Sequence, residues 1–222
     1  ILFEEGGNAA YAPGTPEANF TAEFSAWPIP EAEATAWYLG AQGSLASGDA
    51  PTTGETVSYT ADPTALPSTF FSGEGSIWNA AAKWDWRPLP DGTGVGFHTA
   101  PLAADTVVAG SGSVDLWIRS STPDTDLEVT VSEIRPDGTE IYVQSGWLRA
   151  SHRALDTAAS TDLRPAHTHT EADAADLPAG EFTPVRVELF PFAHPFRAGS
   201  RIRITVEDRK STRLNSSHSQ QS

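Results

Sequence analysis

The residues that decide the fold are Val114-Asp115-Leu116-Trp117-Ile118-Arg119, followed by Leu127-Glu128-Val129-Thr130-Val131-Ser132. Successive side chains of a strand project to opposite faces, so strict alternation of apolar and polar residues marks a strand with one face against a core. Val114, Leu116 and Ile118 share one face, and Asp115, Trp117 and Arg119 share the other. Leu127, Val129 and Val131 repeat the arrangement opposite Glu128, Thr130 and Ser132. Pro136-Asp137-Gly138 then supplies a turn, since proline presets φ and glycine accepts the positive φ that closes a hairpin. Ile141-Tyr142-Val143 is the return strand. Just upstream, Gly110-Ser111-Gly112-Ser113 reads as a loop leading into the first of these strands.

The same pattern extends outward. Val185, Val187 and Leu189 alternate with Arg186 and Glu188, and Ile202, Ile204 and Val206 alternate with Arg201, Arg203 and Thr205. Ala198-Gly199-Ser200 offers a tight connection between those two strands. Residues 66–93 hold an aromatic cluster of Phe70, Phe71, Trp78, Trp84 and Trp86, broken by Gly and Pro. Residues 1–65 are loop-rich, with Trp37-Tyr38-Leu39 and Val57-Ser58-Tyr59 as brief strand candidates. No 12-residue window carries a capped helical period. Many short strands with Gly/Pro turns predict an all-β fold, an antiparallel jelly-roll β-sandwich of the galactose-binding-domain-like kind.

Composition bounds the chemistry. The 222 residues contain no cysteine, which excludes disulfides, thiolate zinc sites and cysteine nucleophiles. The net charge of −15 repels phosphate backbones, so neither nucleic acid nor an anionic membrane is an expected partner. No run of 18 apolar residues is present to span a bilayer. Lys83 and Lys210 are the only lysines, and arginines scattered through so acidic a chain point to structural ion pairs. Composition shifts at residue 208: in residues 208–222, Leu214 is the only aliphatic side chain, too little apolar area to offset ordering entropy. This stretch reads as a disordered tail resembling read-through sequence in a translated assembly, with a linker as the other possibility. With neither an initiator methionine nor an internal one, the chain reads as an excised piece of something longer.

Each candidate for chemistry has a plainer counterpart. No G-x-S-x-G elbow is present; Gly110-Ser111-Gly112-Ser113 and Gly73-Glu74-Gly75-Ser76 come nearest, and both read as loops, so no catalytic residue is expected. Glu171-Ala172-Asp173-Ala174-Ala175-Asp176 offers the paired carboxylates of a glycosidase, yet it meets turn residues and reads as a solvated acidic loop. His167, His169 and Glu171 would share one face of a strand, but no fourth ligand accompanies them and no metal or cofactor is expected. His152 and His194 read as isolated structural histidines, and Asp124 and Asp126 fall short of a calcium cage. Of the seven tryptophans, Trp117 and Trp147 lie in β-patterned runs and are assigned to packing. Trp78, Trp84 and Trp86 lie in loop-rich sequence, where an interface or sugar-stacking role is open.

Several runs together resemble one known domain. They are Gly110 to Trp117, Ser121-Thr122-Pro123-Asp124-Thr125-Asp126-Leu127, Arg135-Pro136-Asp137-Gly138, Gly146-Trp147-Leu148-Arg149-Ala150-Ser151-His152-Arg153, and Phe196-Arg197-Ala198-Gly199-Ser200-Arg201-Ile202-Arg203. Collinear over about residues 95–206, they resemble the C-terminal jelly-roll domain of the Xaa-Pro dipeptidyl-peptidase and cocaine-esterase-like serine hydrolases. The resemblance implies a non-catalytic domain that packs on an α/β-hydrolase catalytic domain of the same parent chain and helps shape its ester or peptide pocket. It places the catalytic triad outside this chain. It makes residues 1–65 a lead-in from that absent domain, 66–207 the sandwich and 208–222 the tail, with the sandwich cut short at both ends. It also directs Phe70, Phe71 and Trp78 toward the pocket. A stand-alone carbohydrate-binding module is the alternative.

Overall fold

The computed structural model describes residues 1–4, 18–48, 50, 54, 56–61 and 91–207. In chain order their strands are β1 (Leu2–Glu4), β2 (Ala18–Thr21), β3 (Trp37–Leu39), β4 (Leu45–Ser47), β5 (Gly94–His98), β6 (Thr106–Ile118), β7 (Asp126–Ile134), β8 (Glu140–Arg149), β9 (Thr183–Phe196) and β10 (Arg201–Glu207). Short 3-10 turns at Ala41–Gly43, Ala150–His152 and Glu171–Asp173 are the only helical segments among the described residues. No helix among those residues is long and apolar enough to cross a membrane.

Every pairing between these named strands is antiparallel. One sheet has the order β5-β10-β7-β8, and the opposing sheet is the long β6-β9 ribbon. Two small hairpins, β1-β2 and β3-β4, complete the described sheets. Val114, Val185, Val187 and Leu189 from the ribbon meet Leu127, Val129, Val131, Leu148, Ile202, Ile204 and Val206 from the larger sheet in one core. Burying each such side chain contributes about 1.5–3 kcal/mol, so this inter-sheet layer is the main stabilising feature of the fold. The all-β antiparallel sandwich predicted by the alternation is the fold observed.

Three details differ from the expectation, and one connection crosses between the sheets. Gly110-Ser111-Gly112-Ser113 is part of β6 rather than a loop, because β9 supplies a partner for every residue around it except at one irregularity. Val57-Ser58-Tyr59 forms no strand, although the Trp37–Leu39 strand does form. The polar face of β7 is as buried as its apolar face, with Glu128, Thr130 and Ser132 all nearly inaccessible. Ala198-Gly199-Ser200 does connect β9 to β10, but these strands do not pair; the turn carries the chain from one sheet to the other. Gly199 sits there at φ +84°, a conformation that favours glycine. Phe70, Phe71, Trp78, Trp84, Trp86 and the expected tail 208–222 lie outside the described residues.

Candidate functional site

The placement of the functional side chains begins with one extra residue in β9. Gly110 pairs with Phe192 and Gly112 with Leu189, so β9 carries a bulge at Phe190-Pro191. Proline has no N–H to give to a ladder and is at home in a bulge. A one-residue slip exchanges the faces of a strand. Before the bulge the buried residues are Thr183, Val185, Val187 and Leu189; after it His194, Pro195 and Phe196 are all buried, and Phe190 is exposed.

The slip turns His194 into the core, where it meets Glu133 of β7. His194 Nε2 donates to Glu133 Oε2 across 3.1 Å, and the Arg197 backbone N–H donates to Oε1 across 3.3 Å. Both side chains are essentially inaccessible, and Arg135 Nε lies 3.8 Å from Oε2. The His194 ring also packs edge-on against Phe196, 4.6 Å between centroids. Burial pushes the Glu133 carboxyl up, but the His194 hydrogen bond, the Ser200 hydroxyl dipole, the His194 charge and the Arg197 amide outweigh it. The group is therefore held below its ordinary value of 4.5. Ser200 Oγ, fully buried beside it, completes no hydrogen bond of good geometry. This pair joins the two sheets and is sealed from substrate, so it is a structural feature. Sequence reading identified His194 as a satisfied histidine but not its partner; the phase change at Pro191 was the available signal.

The serines are likewise tied into structure. Ser113 Oγ donates to Asp115 Oδ1 at 2.7 Å, and Ser151 Oγ donates to Asp124 Oδ2 at 2.8 Å. Neither arrangement supplies the imidazole base that activates a serine nucleophile. Asp124 Oδ1 also accepts the Ser151 N–H at 2.7 Å, while Asp126 takes a two-pronged contact from Arg149 at 2.7 and 2.9 Å. Asp124 and Asp126 thus anchor the turn that follows β8. Arg153 donates to the carbonyls of Ala150, Ala175 and Asp176, gathering the long β8–β9 connection.

His167, His169 and Glu171 do not share a strand face. His167 forms an isolated bridge with Leu155, His169 adopts φ +51°, and Glu171 opens a 3-10 turn. Desolvation, helped by the neighbouring His169 charge, lowers the pKa of His167, and its Nε2 is buried without a hydrogen-bond partner. Among the described residues no group of three or more His, Asp or Glu side chains gathers as a metal site. Glu171 to Asp176 is exposed, as a solvated acidic loop should be.

The outer face of the β6-β9 ribbon carries the feature that packing does not explain. Trp117, read from sequence as a packing residue, is 70% exposed, and Trp147 is 50% exposed. Trp117 points outward from β6 of the ribbon, whereas Trp147 points outward from β8 at the edge of the larger sheet. Trp117 pairs with exposed Pro184, and Phe182, 43% exposed, lies 4.8 Å beneath the Arg119 guanidinium. Further along the ribbon Phe190 meets Trp147 with ring centroids 5.8 Å apart. Between these aromatic ends Arg186 holds Asp115 at 3.0 Å and Arg164 holds Glu188 at 3.0 Å. Phe182 and Phe190 drew no attention in the sequence.

Fold and site together define a β-sandwich domain with no assembled catalytic group among its described residues and an exposed aromatic face. The family of the X-Pro dipeptidyl-peptidase C-terminal non-catalytic domain matches residues 3–215, and this chain belongs to that family. It is 30% identical over 188 residues to a candidate serine esterase of Mycobacterium bovis, covering 81% of this chain and 29% of the relative. It is 28% identical over 196 residues to cocaine esterase of a Rhodococcus species, covering 81% and 30% respectively. A CocE/NonD family hydrolase from Staphylococcus aureus shares the fold with a TM-score of 0.59 at 24% identity, over 84% of this chain and 30% of that one. The chain therefore spans less than a third of the length of these relatives.

Proposed function

We propose that this chain is the accessory C-terminal domain of a serine hydrolase that cleaves ester or Xaa-Pro peptide bonds, packing on the catalytic domain and helping to shape its substrate pocket. The observation that carries this reading is the family match across residues 3–215 to a non-catalytic domain. The engaged serines agree with it: Ser113 and Ser151 serve carboxylates, not a histidine. Acyl transfer needs a nucleophile, a base that takes its proton and donors for the oxyanion, and all three would come from the catalytic domain. Phe70, Phe71 and Trp78 remain the residues we assign to the pocket side.

The purified chain should release no p-nitrophenol from p-nitrophenyl acetate above the buffer rate. Saturable turnover by the pure chain would overturn the accessory reading.

A further inference from the structure

We propose that the outward face of the β6-β9 ribbon at Trp117 binds an uncharged carbohydrate, with a sugar ring stacked on the indole and sugar hydroxyls donating to Asp115. The site does not rest on the accessory reading; it adds a binding function to this chain.

Strand register builds the site. On the side of the ribbon turned away from the core, β6 presents Ser113, Asp115 and Trp117, and β9 sets Glu188, Arg186 and Pro184 opposite them in that order. Partners in an antiparallel pair share a face, and outward residues two apart on one strand stand about 6.8 Å from each other. Trp117 is 70% exposed, and its cross-strand partner Pro184 is exposed as well. Phe182, the other ring at this end, is already topped by the Arg119 guanidinium at 4.8 Å. One open, flat ring therefore stands beside a polar pair. The negative face of an indole attracts polarised C–H bonds, such as those lining one side of a sugar ring.

The polar half of the strip is held in place before any ligand arrives. Asp115 accepts from Arg186 Nε at 3.0 Å on both oxygens and from Ser113 Oγ at 2.7 Å on Oδ1. Arg186 Nη2 is spent on Ser113 Oγ at 3.2 Å and on the Asp162 carbonyl at 2.7 Å. An ionised carboxylate has about four acceptor sites, so Asp115 keeps capacity to spare. Its side chain is 57% exposed, which leaves that capacity open to solvent. What the strip offers beside its ring is thus an oriented acceptor, and the ligand must bring donors. Groups already fixed by their neighbours lose little freedom on binding.

Charge selects the ligand class. The chain carries −15, which repels phosphates, acidic sugars and a second copy of itself. Arg186 is matched by Asp115 and Arg164 by Glu188, each at 3.0 Å, so these arginines are not free to hold an anion. A cationic ligand would have to compete with Arg186 for Asp115. Proline-rich peptides are held in grooves lined by several aromatic rings, and with Arg119 on Phe182 only the Trp117 ring stands open. An uncharged sugar meets every condition: a flat apolar face for Trp117, hydroxyl donors for Asp115, and no charge to strand.

Titration calorimetry of the 222-residue chain with neutral oligosaccharides of cellulose, xylan, mannan and starch tests the site. At least one of them should bind saturably, with an affinity that changes little between about 0.01 M and about 0.15 M salt, because no ion pair forms. Trp117→Ala should weaken that sugar about tenfold or more, as removal of a central aromatic anchor does. Asp115→Asn should weaken it about fivefold, the loss of about one hydrogen bond. Trp147→Ala, at an exposed ring of the other sheet, should leave it unchanged. In the unsubstituted chain the sugar should also slow hydroxyl-radical oxidation of Trp117 and not of Trp147, a reading that needs no variant to fold. No saturable binding to any of these sugars, binding that Trp117→Ala leaves intact, or protection of Trp147 in place of Trp117 would overturn the proposal. So would a polyproline peptide that protects Trp117 when none of the sugars does, since the strip would then belong to a peptide.

Discussion

Glu133 illustrates how much a single buried carboxylate depends on its neighbours. Its two oxygens take hydrogen bonds from His194 Nε2 and the Arg197 N–H, so its ionised form is preferred despite full burial. Because its folded-state pKa lies below the unfolded one, the unfolded chain binds the proton more readily. The resulting stability is complete above about pH 4.5 and is lost as pH falls through the lower, folded value. Glu133→Gln keeps the shape but weakens the charge-assisted bonds and should cost about 2 kcal/mol at pH 7. His194→Ala leaves the carboxylate buried without its main partner and should cost about 3–5 kcal/mol. Urea denaturation at pH 7 and at progressively lower pH checks both the size and the sign: the gap between wild type and Glu133→Gln should narrow as the solution is acidified. A gap that widens on acidification would mean that the carboxyl is held neutral in the folded state.

The elements are held in place by one contact that only glycine permits. A Cβ on Gly146 of β8 would lie 1.7 Å from the Glu188 carbonyl oxygen and 2.8 Å from its carbon, both backbone atoms of β9. Neither can rotate away, so Gly146→Ala must separate the edge of the larger sheet from the ribbon, at about 3 kcal/mol. The urea midpoint should fall with little change in slope; an unchanged midpoint would show that the two strands part easily. This seam explains what the sequence could and could not reveal. Alternation located β6, β7, β9 and β10 because period-2 burial is a local property of each strand. Which sheet each strand joins is set by long-range pairing, and nothing in Ala198-Gly199-Ser200 distinguishes a hairpin from a crossing between sheets. The outward tryptophans were missed for a related reason: a tryptophan on the polar phase of a strand, as Trp117 is beside Asp115 and Arg119, was credited to packing by residue type when its phase already placed it outside. Phe190 escaped notice because the bulge that exposes it also breaks the alternation used to find faces.

At the scale of the whole molecule, excess negative charge and local ion pairs act in opposite directions. The net charge of −15 disfavours the compact state through self-repulsion. Against it stand exposed pairs such as Arg149–Asp126, Arg197–Asp105 and Arg186–Asp115, at 2.7–3.0 Å. Exposed pairs of this kind each contribute little, because water and salt screen them. Salt weakens both, but unequally. Repulsion accumulates over separations comparable to the screening length, about 10 Å at 0.1 M, whereas the pairs are in contact and keep more of their attraction. Raising sodium chloride from about 10 mM to about 150 mM, which shortens the screening length from roughly 30 to 8 Å, should therefore stabilise the fold. A gain of about 1 kcal/mol corresponds to a rise in Tm of about 2–4 °C for a domain of this size. Calorimetry across that salt range tests the balance directly. A falling Tm would show that the arginine pairs, not the relief of repulsion, dominate the electrostatics, and that acidity is less of a burden to this domain than its charge implies.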